Sequence, residues 1–218
     1  MDAQDQREGA RDLTAFPISG KGRRRLLDTA LRLFDERGVD DVSARTIAQE
    51  AGHRNVAAVN YHFGDKRELL LAVLADKAAE IDALRHAALD EVEAAGSVEP
   101  RAALAAAFAP LIAQLDDLDG RRYLRLINQL SSHPQYYREV NVRFAASLIR
   151  AAEHVVPLVE HLDEDLRLHR VQETIGMLLY ALALQARLTD ATDPPIPPLP
   201  IPQFTTNLLD VVEGMLRA

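Results

Sequence analysis

Apolar positions recur every three or four residues along most of this chain, the period of helices with one buried face. Leu26, Leu27, Ala30, Leu31 and Phe34 form the first stripe, and Gly38 stops it. Ser43 is placed to cap a second short helix, ARTIAQEA, which Gly52 ends. A third short helix is predicted over about 55–62, closed by Gly64. Asp65 and Glu68 form a capping box that opens a long helix to about Ala95, with Leu70, Val73, Leu74, Ile81 and Leu84 as its stripe.

Pro100 suits the first turn of the next helix, whose apolar side is Phe108, Leu111, Ile112 and Leu115. Tyr123, Leu126, Ile127 and Leu130 mark another. The run from Tyr136 to His161 reads as a long helix that Pro157 kinks. Residues 163–188 carry two apolar faces, Leu168, Val171, Ile175, Leu178 and Leu182 on one and Met177, Ala181, Leu184 and Leu188 on the other. A surface helix needs one such face. Two predict burial on both sides, inside the domain or against another subunit. The segment DPPIPPLPIP, residues 193–202, cannot be helix or central strand and reads as an extended connector, with docking to a proline-reading domain as the alternative. A last helix follows, with Phe204, Leu208, Val211, Val212 and Met215 on one side. No segment alternates with period two long enough for a strand, so the fold class predicted is all-α.

With 48% apolar residues, the 218-residue chain can build a substantial core. It has no cysteine, which excludes disulfides and thiolate metal sites. The polar, acidic start predicts no secretory leader, and no apolar run reaches the roughly 20 residues of a membrane span, so a cytoplasmic location without membrane partners is expected. Net charge is −8 overall, which argues against general nucleic-acid affinity. Its distribution changes that: residues 20–68 hold ten Lys/Arg against eight Asp/Glu, and residues 69–218 hold thirteen against twenty-one. A mildly basic head on an acidic body can bind phosphates locally while the body repels non-specific nucleic acid. A solvated charged face is the plainer alternative.

Three short helices before a long one, with a glycine turn in AGHRN, give the spacing of a helix-turn-helix. Its second short helix must enter a groove about 12 Å wide, which requires small residues on the leading face. Ala57 and Ala58 permit that approach, and Asn55 and Asn60 present amide donors and acceptors to base edges. Tyr61 and His62 are in reach of phosphates, Phe63 packs back into the domain, and Lys66 aims its charge at the DNA backbone.

The stretch VSARTIAQEAGHRNVAAVNYHFGDKRELL resembles the signature of the tetracycline-repressor (TetR) family of bacterial transcriptional regulators. Ser43, Arg45, Ile47, Ala48, Ala51, Gly52, His62, Phe63, Lys66, Leu69 and Leu70 stand where that pattern expects them. Two departures stand out. The segment from Gly52 to Phe63 is one residue longer than usual, and Asn60 replaces the usual tyrosine three places before the phenylalanine. The phosphate role of that tyrosine is carried here to Tyr61. The resemblance implies an N-terminal arm (1–20), a DNA-binding head (21–68) and a helical effector-binding and dimerisation body (69–218). The DNA-binding set it implies is Ser43, Arg45, Thr46, Arg54, Asn55, Ala57, Ala58, Asn60, Tyr61, His62 and Lys66. It further implies a palindromic double-stranded operator, a homodimer through helices 163–188 and 203–217, and repression relieved by a small effector.

An apolar effector is expected among Phe108, Ile112, Ile127, Asn128, His133, Tyr137, Phe144 and Met177, although most such residues in any helical protein are ordinary core. His154, His161 and His169 invite a metal reading, but no dense ligand cluster accompanies them, and solvated histidines are expected. No cofactor is called for. An enzyme is the rival class. No nucleophile elbow, phosphate loop or carboxylate pair within an apolar helix supports it. A protein-interaction module is the third.

Overall fold

A computed structural model of the chain describes residues 20–53, 57–131, 136 and 145–218. The described residues form helices and turns, in the order α1 (Lys21–Arg37), α2 (Ala44–Glu50), α3 (Ala57–Phe63), α4 (Lys66–Ala94), α5 (Pro100–Ala113), α6 (Leu118–Ser131), α7 (Ala145–Val155), a 3-10 turn (Val156–Leu158), α8 (Glu164–Asp190) and α9 (Ile201–Arg217).

Side-chain caps fix several starts. Ser43 Oγ accepts from Thr46 N at 3.0 Å. Asp65 Oδ1 accepts from Glu68 N, and Asp163 Oδ1 from Leu166 N, each at 2.9 Å. Each cap is worth about 1 kcal/mol, a large share of the stability of a seven-residue helix such as α2. Such short helices are marginal alone, so packing must supply the rest. Leu26, Ala30, Leu33 and Phe34 of α1, Ile47 and Ala48 of α2, Val59 and Phe63 of α3, and Leu69 and Leu70 of α4 converge in one buried cluster.

That cluster continues into the body without a break. α4 packs on α5, α5 on α7, α8 on α9, and α6 lies between α1 and α8. The turn from α5 into α6 is tight enough to demand glycine: a Cβ on Gly120 would lie 2.2 Å from the Gln114 carbonyl oxygen.

Several expectations shift. Leu84 is 48% exposed, and Arg85 takes the inward position between Ile81 and Leu89. Beyond the head, α4 packs on α5 and α7, so its buried face is set by new neighbours. Of the long helix expected from Tyr136, the described part runs Ala145–Val155. Pro157, with no N–H to continue the helix, falls in the 3-10 turn that follows. The two-faced helix, α8, buries Leu178, Leu182 and Leu188 within the chain but leaves Leu168 64% and Val171 37% exposed. The proline segment is non-helical over residues 193–200, but Ile201 and Pro202 open α9, against the expectation, because the first turn of a helix has no use for the N–H that proline lacks. Gln185 holds the segment to α8, donating to the Leu199 carbonyl at 2.7 Å and accepting from Leu199 N at 3.3 Å. No described helix is long and apolar enough to cross a membrane. The expected arm, residues 1–20, lies outside the described residues except for Gly20.

Candidate nucleic-acid interface and ligand cavity

α3 separates its two sides sharply. Val59 and Phe63 point inward and are buried, whereas Ala57, Asn60 and Tyr61 are exposed, Tyr61 to 84%. Ala58 is half-buried against the head core. The outward side is therefore small near the helix start and polar beyond it. Gly52, at φ 78°, makes the turn that leads from α2 towards α3. Ser43 works as the α2 cap, Thr46 Oγ1 lies 2.8 Å from Ser43 Oγ, and Arg45 is exposed. Arg54 and Asn55 lie outside the described residues.

The basic residues divide into structural and outward-facing groups. Arg23 is buried, its guanidinium 4.8 Å above the Phe63 ring centroid. Burial lowers its pKa against the raising effect of Asp76. This cation–π contact clamps the end of α3 from behind. Arg24 bonds Asp76 of α4 at 2.9 Å and Asp28 at 2.8 Å. Lys21, Arg25 and Arg45 are exposed. Lys66 turns inward, and its Nζ donates to the Val39 carbonyl at 2.8 Å, tying the start of α4 to the turn after α1. His62 is half-buried, its ring 5.0 Å from that of Tyr61 and 6.5 Å from that of His53. Burial first, then His53 and Arg23, hold its pKa below the ordinary imidazole value, so at neutral pH it is an uncharged hydrogen-bonding group.

The body holds a partly open cavity of about 150 Å³ among α4, α5, α6, α7 and α8. Ile81, Phe108, Leu111, Ile127, Leu130 and Ile175 give it an apolar wall, and Arg85, Tyr123, Ser131 and Gln172 add polar groups. Of the ligand residues expected from sequence, Phe108 and Ile127 line this space. Ile112 is buried in the core away from it, and Met177 packs half-buried against that core. Asn128 is off the wall too, its carbonyl accepting from Ser131 Oγ at 2.7 Å. His133, Tyr137 and Phe144 lie outside the described residues. Arg85 and Tyr123 are not among the ligand residues expected from sequence, where Tyr123 stands only in the apolar stripe of α6. The available signal for Arg85 was its register, four residues from both Ile81 and Leu89.

One face of α6 meets the cavity through Tyr123, Ile127 and Leu130. Another holds the head. Arg125 donates to both oxygens of Asp35 on α1, at 2.7 and 2.6 Å, and to Asp190 at the end of α8 at 2.6 Å. Arg121 reaches Asp190 as well, at 2.6 Å. Bidentate arginine–carboxylate pairs fix direction as well as distance. Hydrogen bonding to Asp35 leads the causes that raise the Arg125 pKa. For Asp190, burial pushes the pKa up, but the bonds from Arg125 and Arg121 outweigh it. A 560 Å³ groove between head and body, lined by Arg24, Leu31, Asp76, Leu118 and Arg122, flanks this contact.

Among the described residues no group of three or more side chains is arranged to hold a metal. His154 instead bonds Glu93 at 2.9 Å, and His161 and His169 are exposed.

Comparison with known proteins gives a consistent result. The description "Bacterial regulatory proteins, tetR family" matches residues 26–73, and "Tetracyclin repressor-like, C-terminal domain" matches residues 105–215. No curated protein matches. The fold is similar to that of the fatty acid degradation regulator FadR from Bacillus halodurans, with 14% identity over 91% of this chain and 97% of that one and a TM-score of 0.62. It is also similar to a chain from Rhodococcus sp. assigned to TetR-family transcriptional regulators, with 17% identity, 90% and 100% coverage and a TM-score of 0.59. At such identities these structures speak for the fold alone. Together with a head of three short helices on an all-helical body, the two family matches place this chain in the TetR family of bacterial regulatory proteins, as a non-enzymatic DNA-binding transcriptional regulator.

Proposed function

We propose that the chain is a homodimeric repressor that leaves a palindromic operator when a small apolar effector fills the cavity. α3 enters the major groove with Ala57, Ala58 and Asn60 leading, and Tyr61, His62 and Arg45 reach the flanking phosphates. The observation that carries the effector part of the reading is the double role of α6, cavity wall on one side and Arg125–Asp35 anchor on the other. An effector that shifts α6 moves α1, and α1 carries the head. A ligand can shift the equilibrium only by its differential affinity for the two arrangements, and a coupling of about 1–3 kcal/mol changes operator affinity roughly 5- to 150-fold.

The dimer part is supported by apolar surface that the single chain leaves uncovered. Leu168, Val171 and Tyr180 on α8 and Val211 on α9 are all exposed. Two heads then meet half-sites about 34–36 Å apart. The test is fluorescence anisotropy on the DNA upstream of the chain's own gene, with and without toluene as an apolar probe. Tight, salt-sensitive binding that toluene weakens at least fivefold is expected. Binding that toluene leaves unchanged counts against the effector reading, and absence of binding counts against the whole.

A further inference from the structure

We propose that Gly176 decides which effectors the cavity admits, by leaving out a side chain so that an apolar molecule the size of one ring can lie against the bare backbone of α8. This rests on reading the cavity as an effector site and names the residue that sets its capacity. The α8 wall consists of Gln172, Ile175, Gly176, Leu178 and Leu179. Gln172, Ile175, Gly176 and Leu179 have the three-and-four spacing of one helix face. Ile175 and Leu179 are half-buried there. Gly176, between them, has no side chain to present, so the cavity reaches the helix backbone itself.

Glycine weakens a helix interior relative to alanine, so each helical glycine calls for a reason. A Cβ on Gly22 of α1 would lie 3.2 Å from the His53 ring, and one on Gly120 of α6 would lie 2.2 Å from the Gln114 carbonyl oxygen. Close neighbours explain those two. A Cβ on Gly176 would meet no described atom within 4 Å, and the backbone there has no positive φ that a side chain would strain. Neither packing nor backbone conformation among the described residues requires glycine at this place. What a side chain would take up is space in the cavity. That space is about 150 Å³, as much as an apolar cavity that takes benzene. One methyl group is a large share of it, so the residue at 176 settles whether a substituted ring fits. Gly214 of α9 is the natural control, since a Cβ there also meets nothing within 4 Å and it stands off the cavity wall.

The test is calorimetric titration of the full chain with benzene and with toluene, repeated on Gly176→Ala and Gly214→Ala. Gly176→Ala is expected to melt about 2–4 °C higher than the parent, because alanine is the better helix former and has room there. It is expected to bind toluene at least about tenfold more weakly than the parent, the effect of one methylene in an apolar pocket, and to lose less for benzene. Gly214→Ala is expected to bind both molecules as the parent does. If the parent binds toluene and Gly176→Ala binds it equally well, this inference fails while the cavity remains an effector site. A weakened dimer in sedimentation, with toluene affinity unchanged, assigns the glycine to the subunit contact and overturns the proposal too. So does a lower melting temperature in Gly176→Ala, since the place would then be filled by protein. If the parent binds neither benzene nor toluene, this inference and the effector reading fail together.

Discussion

The head and the body handle charged and polar groups in opposite ways. The head turns Asn60 and Tyr61 outward and spends one buried cation, Arg23, on steadying Phe63 from behind. The body turns polar groups inward: Arg85 and Tyr123 line an apolar cavity, and Arg125 anchors Asp35 across a mostly buried contact. A groove-reading surface must be thin, exposed and held rigid by what lies beneath it. A small-molecule site must be enclosed, with few polar groups placed among many apolar ones. In the head, then, surface changes should alter binding and leave stability intact. In the body, interior changes should alter how binding responds to ligand.

The largest effect is expected inside the head. Phe63→Ala removes the ring beneath Arg23 and leaves a cavity, costing about 3–5 kcal/mol. Circular-dichroism melting should show a large loss. Tyr61→Ala, two residues away on the outer side, should stay within about 0.5 kcal/mol of the parent in the same experiment while lowering DNA affinity. Similar losses for both would erase the distinction between inner and outer faces of α3.

Next comes the joint between the regions. Arg125→Ala leaves Asp35 without its bidentate partner, and urea unfolding should register about 2–3 kcal/mol. The same variant should bind DNA with little response to effector. A full response would move the coupling elsewhere, to α4 and the Arg24–Asp76 bond. Smaller in stability but decisive for assembly is the double change Leu168→Glu with Val171→Glu. Sedimentation should show the dimer replaced by monomer, with the monomer's helix content unchanged, because both side chains are exposed within the chain.

The smallest effect concerns pH. Arg150, followed by His154, holds the Glu93 carboxyl down to about 2 from an ordinary 4.5. A depressed carboxyl stabilises the fold above its unfolded pKa, and that contribution disappears as pH falls from about 4.5 towards 2. Salt should weaken it, since the carboxyl is at the surface. Glu93→Gln should lower the melting temperature slightly at pH 7, where the contribution is fully present, and leave it unchanged near pH 2, so that the acid side of the profile is flatter.

The parts legible in the sequence are those fixed by local chemistry. Ser43 and Asp65 announce helix starts because a cap needs only its own turn. The inner face of α3 was legible for a similar reason: a seven-residue helix has few ways to bury Val59 and Phe63 together. Lys66 was read as facing DNA, but a flexible four-carbon stem also reaches the Val39 carbonyl, and spacing does not separate the two. The cavity resisted sequence reading because five helices converge on it. Ile112 belongs to the same apolar stripe as Phe108, yet only Phe108 reaches the wall. On α4, periodicity favoured Leu84 and residue type argued against Arg85. The structure reverses both, since the packing of α5 and the Ala107 carbonyl decide which side turns inward. In α8, two apolar stripes announced two partners without telling which lies in the same chain.

The central claim is that the outward face of α3 reads DNA. Its most direct test is fluorescence anisotropy of the full chain on a labelled duplex from upstream of its own gene, comparing the unchanged protein with Asn60→Ala over a series of salt concentrations. The account predicts affinity that falls steeply with salt, and a loss of about 1–3 kcal/mol of specific binding in the variant at unchanged melting temperature. Equal binding by both proteins, or binding indifferent to salt, would contradict it.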